Sequence, residues 1–146
     1  MNISNAYKMY RVILELKDIV LAVYPGKVSL NEFFVLQHIS FNTDGCTQYE
    51  LAKAMRLNTS RINASVKKLV TDEMVTIEQI DEDSARVKKR VAITEQGQAL
   101  IDEYHARSNK LYQKALENLG YTDDEQQEQK KAEFEKSLTA MFISID

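Results

Sequence analysis

Residues that break helices and form turns are scarce in this chain. Only 4 glycines and 1 proline occur among its 146 residues. Sandwiches and barrels of β-strands need frequent turns, so this scarcity disfavours them and favours a mostly helical protein. Apolar residues make up 44% of the sequence and charged residues 28%, which is typical of a folded chain. The length suits one domain of ordinary size, whose core needs no disulfide.

Apolar residues recur at helical spacing through most of the sequence. The pattern predicts helices over residues 3–24, 30–41, 48–55 and 59–72, and two more from Thr94 to about 119 and from Thr122 to about 143. Capping residues mark four of the predicted helix starts. These caps are Ser29 with Glu32, Thr47 with Glu50, Asn58, and Thr122 with Glu125.

The helical period is interrupted between the fourth and fifth predicted helices. Alternating side chains predict one strand at 75–80 and another at 87–93, joined by a polar turn at 81–86. The order is therefore four helices, a hairpin and two helices. The predicted fold class is mainly α with a small β-hairpin.

The helices predicted at 48–55 and 59–72 are joined by about three residues. Two helices joined in this way can cross steeply, and the second can enter a DNA major groove. Arg and Asn suit guanine and adenine, whereas Ser, Thr and Lys suit phosphates. A solvated helix face explains the same residues about equally well. Outside the apolar stripe, this helix presents Thr59, Ser60, Arg61, Asn63, Ala64, Ser65, Lys67 and Lys68.

The net charge of −3 by itself argues against a nucleic-acid partner. Residues 47–94, however, hold nine basic and seven acidic side chains, a net of +2 that leaves −5 for the remainder. A basic β-ribbon can contact phosphates or lie along a minor groove, although charges that protect a strand edge look the same. A basic hairpin directly after two such helices is the winged-helix arrangement. The cations beside the predicted tip are Arg86, Lys88, Lys89 and Arg90.

These segments together resemble the multiple antibiotic resistance regulator (MarR) family of bacterial transcription factors. In that family a leucine-threonine-x-x-glycine motif usually follows the wing, and Ile93 here stands for the leucine. The resemblance in element order covers essentially the whole chain. Its motifs lie at 46–55 (CTQYELAKAM), 57–62 (LNTSRI), 66–69 (VKKL), 81–89 and 93–97 (ITEQG).

The resemblance implies one domain over residues 1–146 and a homodimer. The winged helix would occupy about residues 30–94, and the helices at about 3–24 and 95–146 would hold the dimer together. Each winged helix would bind half of a palindromic operator, so that the chain regulates transcription, most simply as a repressor. The residues that would face the groove are Thr59, Ser60, Arg61, Asn63, Ala64 and Lys67.

The resemblance also implies that Arg86 is the arginine of the wing. The family usually has an aspartate two residues before that arginine, whereas Asp83 is three residues before Arg86. Lys88 or Arg90 is therefore an alternative for the wing contact. We expect Lys67, Lys68 and the wing cations to neutralise phosphates, so that affinity falls as salt rises.

Relatives in this family often release DNA when a small aromatic molecule binds. Aromatic side chains that could line such a pocket are common here, although simple packing explains each of them singly. The candidates are Tyr7, Tyr10, Phe33, Phe34, Tyr104 and Tyr112.

Other classes of function find less support in the residues. The single cysteine, Cys46, has no cationic neighbour in sequence, so it is better explained as a small packed residue than as a redox sensor. We find no catalytic, phosphate-binding or metal motif, so we predict no enzyme, cofactor or metal. No apolar run approaches 18 residues and no secretory signal is visible, which predicts a cytoplasmic protein without a membrane partner. A winged-helix module that binds proteins instead of DNA stays open as an alternative.

Overall fold

The computed structural model describes residues 3–42, 44–80 and 88–143. In these ranges the chain forms six α-helices and one small antiparallel sheet, which confirms the predicted mainly α fold with a β-hairpin. The elements are α1 (Asn5–Val23), α2 (Leu30–Ser40), β1 (Cys46–Thr47), α3 (Gln48–Met55), α4 (Thr59–Thr71), β2 (Val75–Ile80), β3 (Lys88–Ile93), α5 (Glu95–Asn118) and α6 (Asp124–Ile143).

Side chains predicted to cap helices do so at the starts of α2, α3 and α4. Ser29 Oγ accepts a hydrogen bond from the Glu32 N–H at 3.2 Å, and Glu32 Oε2 accepts one from the Ser29 N–H at 3.1 Å. Thr47 and Glu50 form the same reciprocal pair at 3.1 and 3.0 Å. At α4, Asn58 Oδ1 accepts the N–H of the third helical residue at 2.8 Å. These bonds satisfy amides that have no partner within the helix, so the helices begin where the caps are.

The sheet contains one strand that the sequence did not predict. Its order is β1-β3-β2, and both pairings are antiparallel. The predicted hairpin is confirmed as β2 and β3, from Val75 opposite Ile93 to the far end of the strands. The unpredicted strand β1 places Cys46 opposite Val91. The predicted turn at 81–86, with Arg86, lies outside the described residues.

The chain divides into two compact units within α5, and the first unit holds most of the buried side chains. The first unit ends at His105 and the second begins at Ala106. The core of the first unit joins α2, α3, α4, the sheet and the first turns of α5. The apolar stripe predicted for α4 is confirmed. The fully buried side chains are Phe33, Val35, Leu36, Ile39, Cys46, Leu51, Ile62, Val66, Leu69, Val91 and Ile101.

The start of α5 is bonded to the turn that follows α4. The Thr94 N–H donates to the Met74 carbonyl at 3.0 Å, and Thr94 Oγ1 donates to the Glu73 carbonyl at 2.7 Å. The same hydroxyl oxygen accepts the Gly97 N–H at 3.1 Å. A Cβ on Gly97 would overlap the Met74 carbonyl oxygen. The threonine and glycine of the 93–97 segment therefore allow a close backbone approach between two elements.

The first helix, α1, leaves most of its apolar side chains exposed. It begins at a Ser4 cap and ends before the Pro25-Gly26 turn, as the sequence predicts within two residues. Tyr10 is 57% exposed and Ile13 58% exposed. Within α1 the one buried residue is Val23, at the end of the helix. α1 thus carries an apolar surface that its own unit does not cover.

The second unit consists of the end of α5 and α6. Tyr112 packs edge-on against Phe134, with ring centroids 6.2 Å apart. Gln127 is buried, and its Nε2 donates to the Tyr121 carbonyl at 2.9 Å. This bond satisfies a backbone acceptor in the turn between the two helices.

The predicted cap of the last helix is wrong by one residue. Thr122 was expected to begin it, but Asp123 Oδ1 accepts the Glu125 N–H at 2.9 Å. The helix accordingly begins at Asp124. Aspartate and threonine are both good caps, so the sequence alone did not distinguish the two neighbouring residues.

Candidate nucleic-acid interface

A very short connection joins α3 and α4. The last residue of the turn, Asn58, is the cap of α4, and the first, Arg56, has φ 54° in the left-handed region. The Leu57 N–H donates to the Ala52 carbonyl at 3.1 Å, which closes the end of α3. Because the left-handed residue reverses the chain at once, only three residues, 56–58, separate α3 from α4. This is the helix–turn–helix that the sequence predicts.

One face of α4 is open to solvent. Ile62, Val66 and Leu69 are fully buried on the opposite side. Lys68 pairs with Asp72 at 3.6 Å; the lysine is exposed and the aspartate half-buried, and a pair so open to solvent adds little to stability. Six of the seven α4 residues among the predicted contacts are exposed, and they are Thr59, Ser60, Arg61, Ala64, Lys67 and Lys68.

The charge of this region has one sign. Residues 51–71 contain five basic side chains and no aspartate or glutamate. All five side chains are exposed. A surface of this kind attracts a polyanion whatever the sign of the whole chain, because salt screens distant charges within about 10 Å. The five residues are Lys53, Arg56, Arg61, Lys67 and Lys68.

Asn63 differs from the other predicted contacts because it is half-buried and bonded. Its Oδ1 accepts a hydrogen bond from Gln48 Nε2, the first residue of α3, at 3.4 Å. Sequence reasoning did not single out Gln48. The two residues are fifteen positions apart, and only the crossing of α3 over α4 brings their amides together.

The wing is described only at its base. Arg90 lies opposite Thr47 and Glu78 in the sheet and is half-buried. Its Nη1 donates to the Asp44 carbonyl at 3.2 Å, so the guanidinium holds the loop before β1. Lys89 is exposed, the backbone of Lys88 lies in β3, and Arg86 falls outside the described residues.

Arg90 also borders a polar cavity of about 380 Å³. The cavity lies between the end of α2, the loop that follows it, the start of α3 and β3. Two acceptors in its lining are already engaged within the protein. The Asp44 carbonyl accepts from Arg90, and the Glu50 carboxylate accepts from the Thr47 N–H. Its lining residues are Phe41, Asn42, Asp44, Gly45, Glu50 and Arg90.

Cys46 is buried beside this cavity, with 1% of its surface exposed. Burial raises the pKa of its thiol, and the negative charge of Glu50 raises it further. The Asn42 side chain and the Arg90 charge lower the pKa by less. Because oxidants react with the thiolate, a raised pKa and burial both favour the packing role for Cys46 over redox sensing.

The residues predicted for an aromatic ligand pocket occupy three different settings. Tyr7 and Tyr10 are exposed on α1. Phe33 is fully buried, and its ring meets those of Phe34 at 5.7 Å and Tyr104 at 4.9 Å. The sixth candidate, Tyr112, lies in the second unit, where it packs on Phe134. The structure thus brings Phe33, Phe34 and Tyr104 together as one aromatic cluster.

The described part of the chain contains neither a cluster of metal-ligating side chains nor a helix that could span a membrane. In it, no three side chains of histidine, cysteine, aspartate or glutamate come together as a metal site would require. None of its helices is both long and apolar enough to cross a membrane.

Comparison with known proteins gives matches in sequence and in fold. Residues 27–86 match the model of the MarR family. The fold is similar to that of MepR, a transcription regulator of the Staphylococcus aureus multidrug efflux pump MepA, at TM-score 0.68 and 18% identity over 95% of this chain and 99% of that one. It is also similar to a MarR-family transcriptional regulator from Rhodococcus sp. RHA1, at TM-score 0.69 and 21% identity over 96% of each chain.

Other structures of MepR show it bound to ethidium bromide and, as a mutant, to an oligodeoxyribonucleotide. They match this chain at TM-score 0.61 and 18% identity. No curated protein matches this sequence. At these identities the structural matches establish the winged-helix fold with flanking helices.

Proposed function

We propose that this chain, whose residues 27–86 match the model of the MarR family, is a transcription regulator that binds a palindromic operator as a homodimer and represses transcription from it. Each α4 enters a major groove, and the wing lies against the backbone or the minor groove. The observation that carries this proposal is the exposed, uniformly basic surface of residues 51–71. The DNA-binding winged helix spans about residues 30–94 of the single domain 1–146.

The chemistry of the α4 face fits duplex DNA. Arg61 can donate two hydrogen bonds to one guanine, and the Ser60 hydroxyl and the helix start suit phosphate oxygens. Ala64 lies between these polar side chains and can contact a thymine methyl group. In the wing, Arg86 or Lys88 makes the DNA contact, because Arg90 is already bonded to the Asp44 carbonyl. Lys67 and Lys68 neutralise phosphates.

The exposed apolar side chains of α1 support the dimer. A monomer rarely exposes so many large apolar residues on one helix, and a second copy would remove them from water. Helices at about 3–24 and 95–146 form the interface in this proposal. The exposed apolar residues are Tyr7, Met9, Tyr10, Val12, Ile13, Leu14, Ile19 and Leu21 of α1, with Ile3 just before its cap.

A small aromatic effector is part of the proposal. MepR binds ethidium, a planar aromatic cation, and this chain has an aromatic cluster at Phe33, Phe34 and Tyr104. A ligand that binds one spacing of the two α4 helices better than another changes DNA affinity by that difference. The protein works in the cytoplasm, where its operator lies.

Selection from random duplex DNA at moderate salt tests the proposal, with the mass of the protein in solution measured in parallel. We expect a dimer to enrich a palindrome. A variant with Arg61, Lys67 and Lys68 changed to alanine should enrich nothing. The matched control changes three exposed cations of the flanking helices, Lys110, Lys114 and Lys136; it should keep the mass of the dimer and retain the palindrome at similar affinity.

Two results would overturn this function. If the dimer enriches no sequence even at low salt, the protein-interaction module becomes the better explanation. If both triple variants lose affinity equally, total charge and not the α4 surface causes the binding.

A further inference from the structure

The amide of Asn63 is held by a residue of the preceding helix. Gln48 Nε2 donates to Asn63 Oδ1 at 3.4 Å, and both side chains are half-buried between α3 and α4. The described residues provide no other hydrogen-bond partner for either amide. Within the described part of the chain, Gln48 Oε1 and both protons on Asn63 Nδ2 are therefore available to a ligand such as DNA.

The direction of this hydrogen bond matters because the two ends of an asparagine amide read different bases. Its oxygen accepts hydrogen bonds and its nitrogen donates them. In the major groove, adenine, guanine and thymine each present an acceptor, whereas cytosine presents only the donor of its amino group. An asparagine whose oxygen is engaged and whose nitrogen faces the base would discriminate against cytosine.

We propose that Gln48 is a positioning residue that makes Asn63 a hydrogen-bond donor toward DNA, so that cytosine is excluded from the base position Asn63 contacts. The inference rests on the DNA-binding function proposed above. Without Gln48, rotation about the Cβ–Cγ bond of Asn63 exchanges its oxygen and nitrogen at little cost. The asparagine would then present an acceptor as readily as a donor.

The position of Gln48 makes this role specific to it. Thr47 and Glu50 fix the start of α3 through their reciprocal bonds, so the backbone of the intervening Gln48 is anchored on both sides. Its neighbour Tyr49 is 71% exposed and makes no such bond to α4 among the described residues. A rigid backbone lets one glutamine amide hold another, although the two side chains belong to different helices.

Gln48→Met tests the proposal, because methionine has nearly the same length and shape but no amide. The operator enriched by the wild-type dimer is varied one base pair at a time, and affinities are measured at fixed salt. We expect one position in each half-site where cytosine weakens wild-type binding about fivefold or more. Asn63→Ala identifies that position, because this variant should bind operators with any of the four bases there at equal affinity. In Gln48→Met the penalty against cytosine should fall to about twofold or less, with the salt dependence unchanged.

A second variant tests the direction of the hydrogen bond. Asn63→Asp keeps the shape and can still accept from Gln48, but its free oxygen is an acceptor. It should prefer cytosine at the same position while binding more weakly overall, since a carboxylate is repelled by phosphates. The control Gln37→Met changes a half-buried glutamine of α2 that bonds Ser40 in its own helix, and it should leave every preference unchanged.

Three outcomes would overturn the inference. If wild-type binding already prefers cytosine where Asn63→Ala levels the bases, the amides are joined in the reverse direction. If Gln48→Met weakens every sequence equally, Gln48 contacts the DNA backbone. If Gln48→Met keeps the full penalty against cytosine and melts like wild type, Asn63 is positioned without it. Failure of the wild-type dimer to select any operator would refute the proposed function itself, so the two failures are distinguishable.

Discussion

Replacing Gly97 by alanine should destabilise the protein, although alanine is the better helix former. Gly97 lies in the first turn of α5, where the added Cβ would overlap the Met74 carbonyl oxygen and come within 2.9 Å of Ile93 Cγ1. The carbonyl cannot move away freely, because it accepts the Thr94 N–H at 3.0 Å. The first turn of α5 or the turn after α4 must therefore shift.

The magnitude follows from two opposing contributions. Overpacking in a closely fitted site costs about 1–3 kcal/mol and more where the neighbour is backbone. Glycine to alanine within a helix gains about 1 kcal/mol. Since the overlap involves backbone, we expect the larger end of the cost to prevail, and the free energy of unfolding to fall by about 1–2 kcal/mol.

Urea unfolding at a single protein concentration measures this change, because a dimer's stability depends on its concentration. Ala99→Gly is the matched control. Ala99 is exposed two residues further along α5, so its loss of about 1 kcal/mol measures helix propensity alone. If Gly97→Ala instead raises the free energy of unfolding by as much as Ala99→Gly lowers it, position 97 has no close contact with the Met74 carbonyl.

Four further changes test other parts of the structure. Arg61→Ala should weaken operator binding by about 1–3 kcal/mol and relax preference at one base pair, read by titrating single-site operator variants. Thr47→Ala removes the hydroxyl that accepts the Glu50 N–H at the α3 cap and should lower the free energy of unfolding by about 1 kcal/mol in urea. Ile13→Glu adds a charge to the exposed apolar surface of α1 and should halve the mass seen by light scattering; an unchanged dimer would place the interface elsewhere. Because burial raises the pKa of Cys46, its contribution to stability is present at neutral pH and is lost as pH rises through the raised value. Cys46→Ala should therefore flatten the fall of melting temperature at alkaline pH.

The helix starts could be predicted because caps are local. A capping side chain and the amide it accepts lie within three residues, so Ser29 and Thr47 locate α2 and α3 without any tertiary contact. The same locality explains the error at α6. Thr122 and Asp123 are both good caps, and choosing between them requires the geometry of the turn.

Features that depend on pairing over long distances could not be predicted. Cys46 and Thr47 are too short a run to indicate a strand, and they form one only because β3 supplies partners more than forty residues later. The bond between Gln48 and Asn63 likewise requires the crossing of α3 and α4. Sequence pattern could indicate which residues of α4 lie outside its buried stripe, but not that Asn63 among them is half-buried.

The contact between Thr94, Gly97 and the turn after α4 requires particular amino acids in only one of the two segments. The Thr94 hydroxyl and the bare Cα of Gly97 are properties of particular amino acids. Their partners are the carbonyl oxygens of Glu73 and Met74, which any residue would supply. This contact therefore requires no particular side chain at 73 or 74, and what restricts those positions is separate from it: Met74 is buried in the core and Glu73 has φ 61°. A sequence motif for this contact is therefore present in residues 93–97 and absent from the turn after α4.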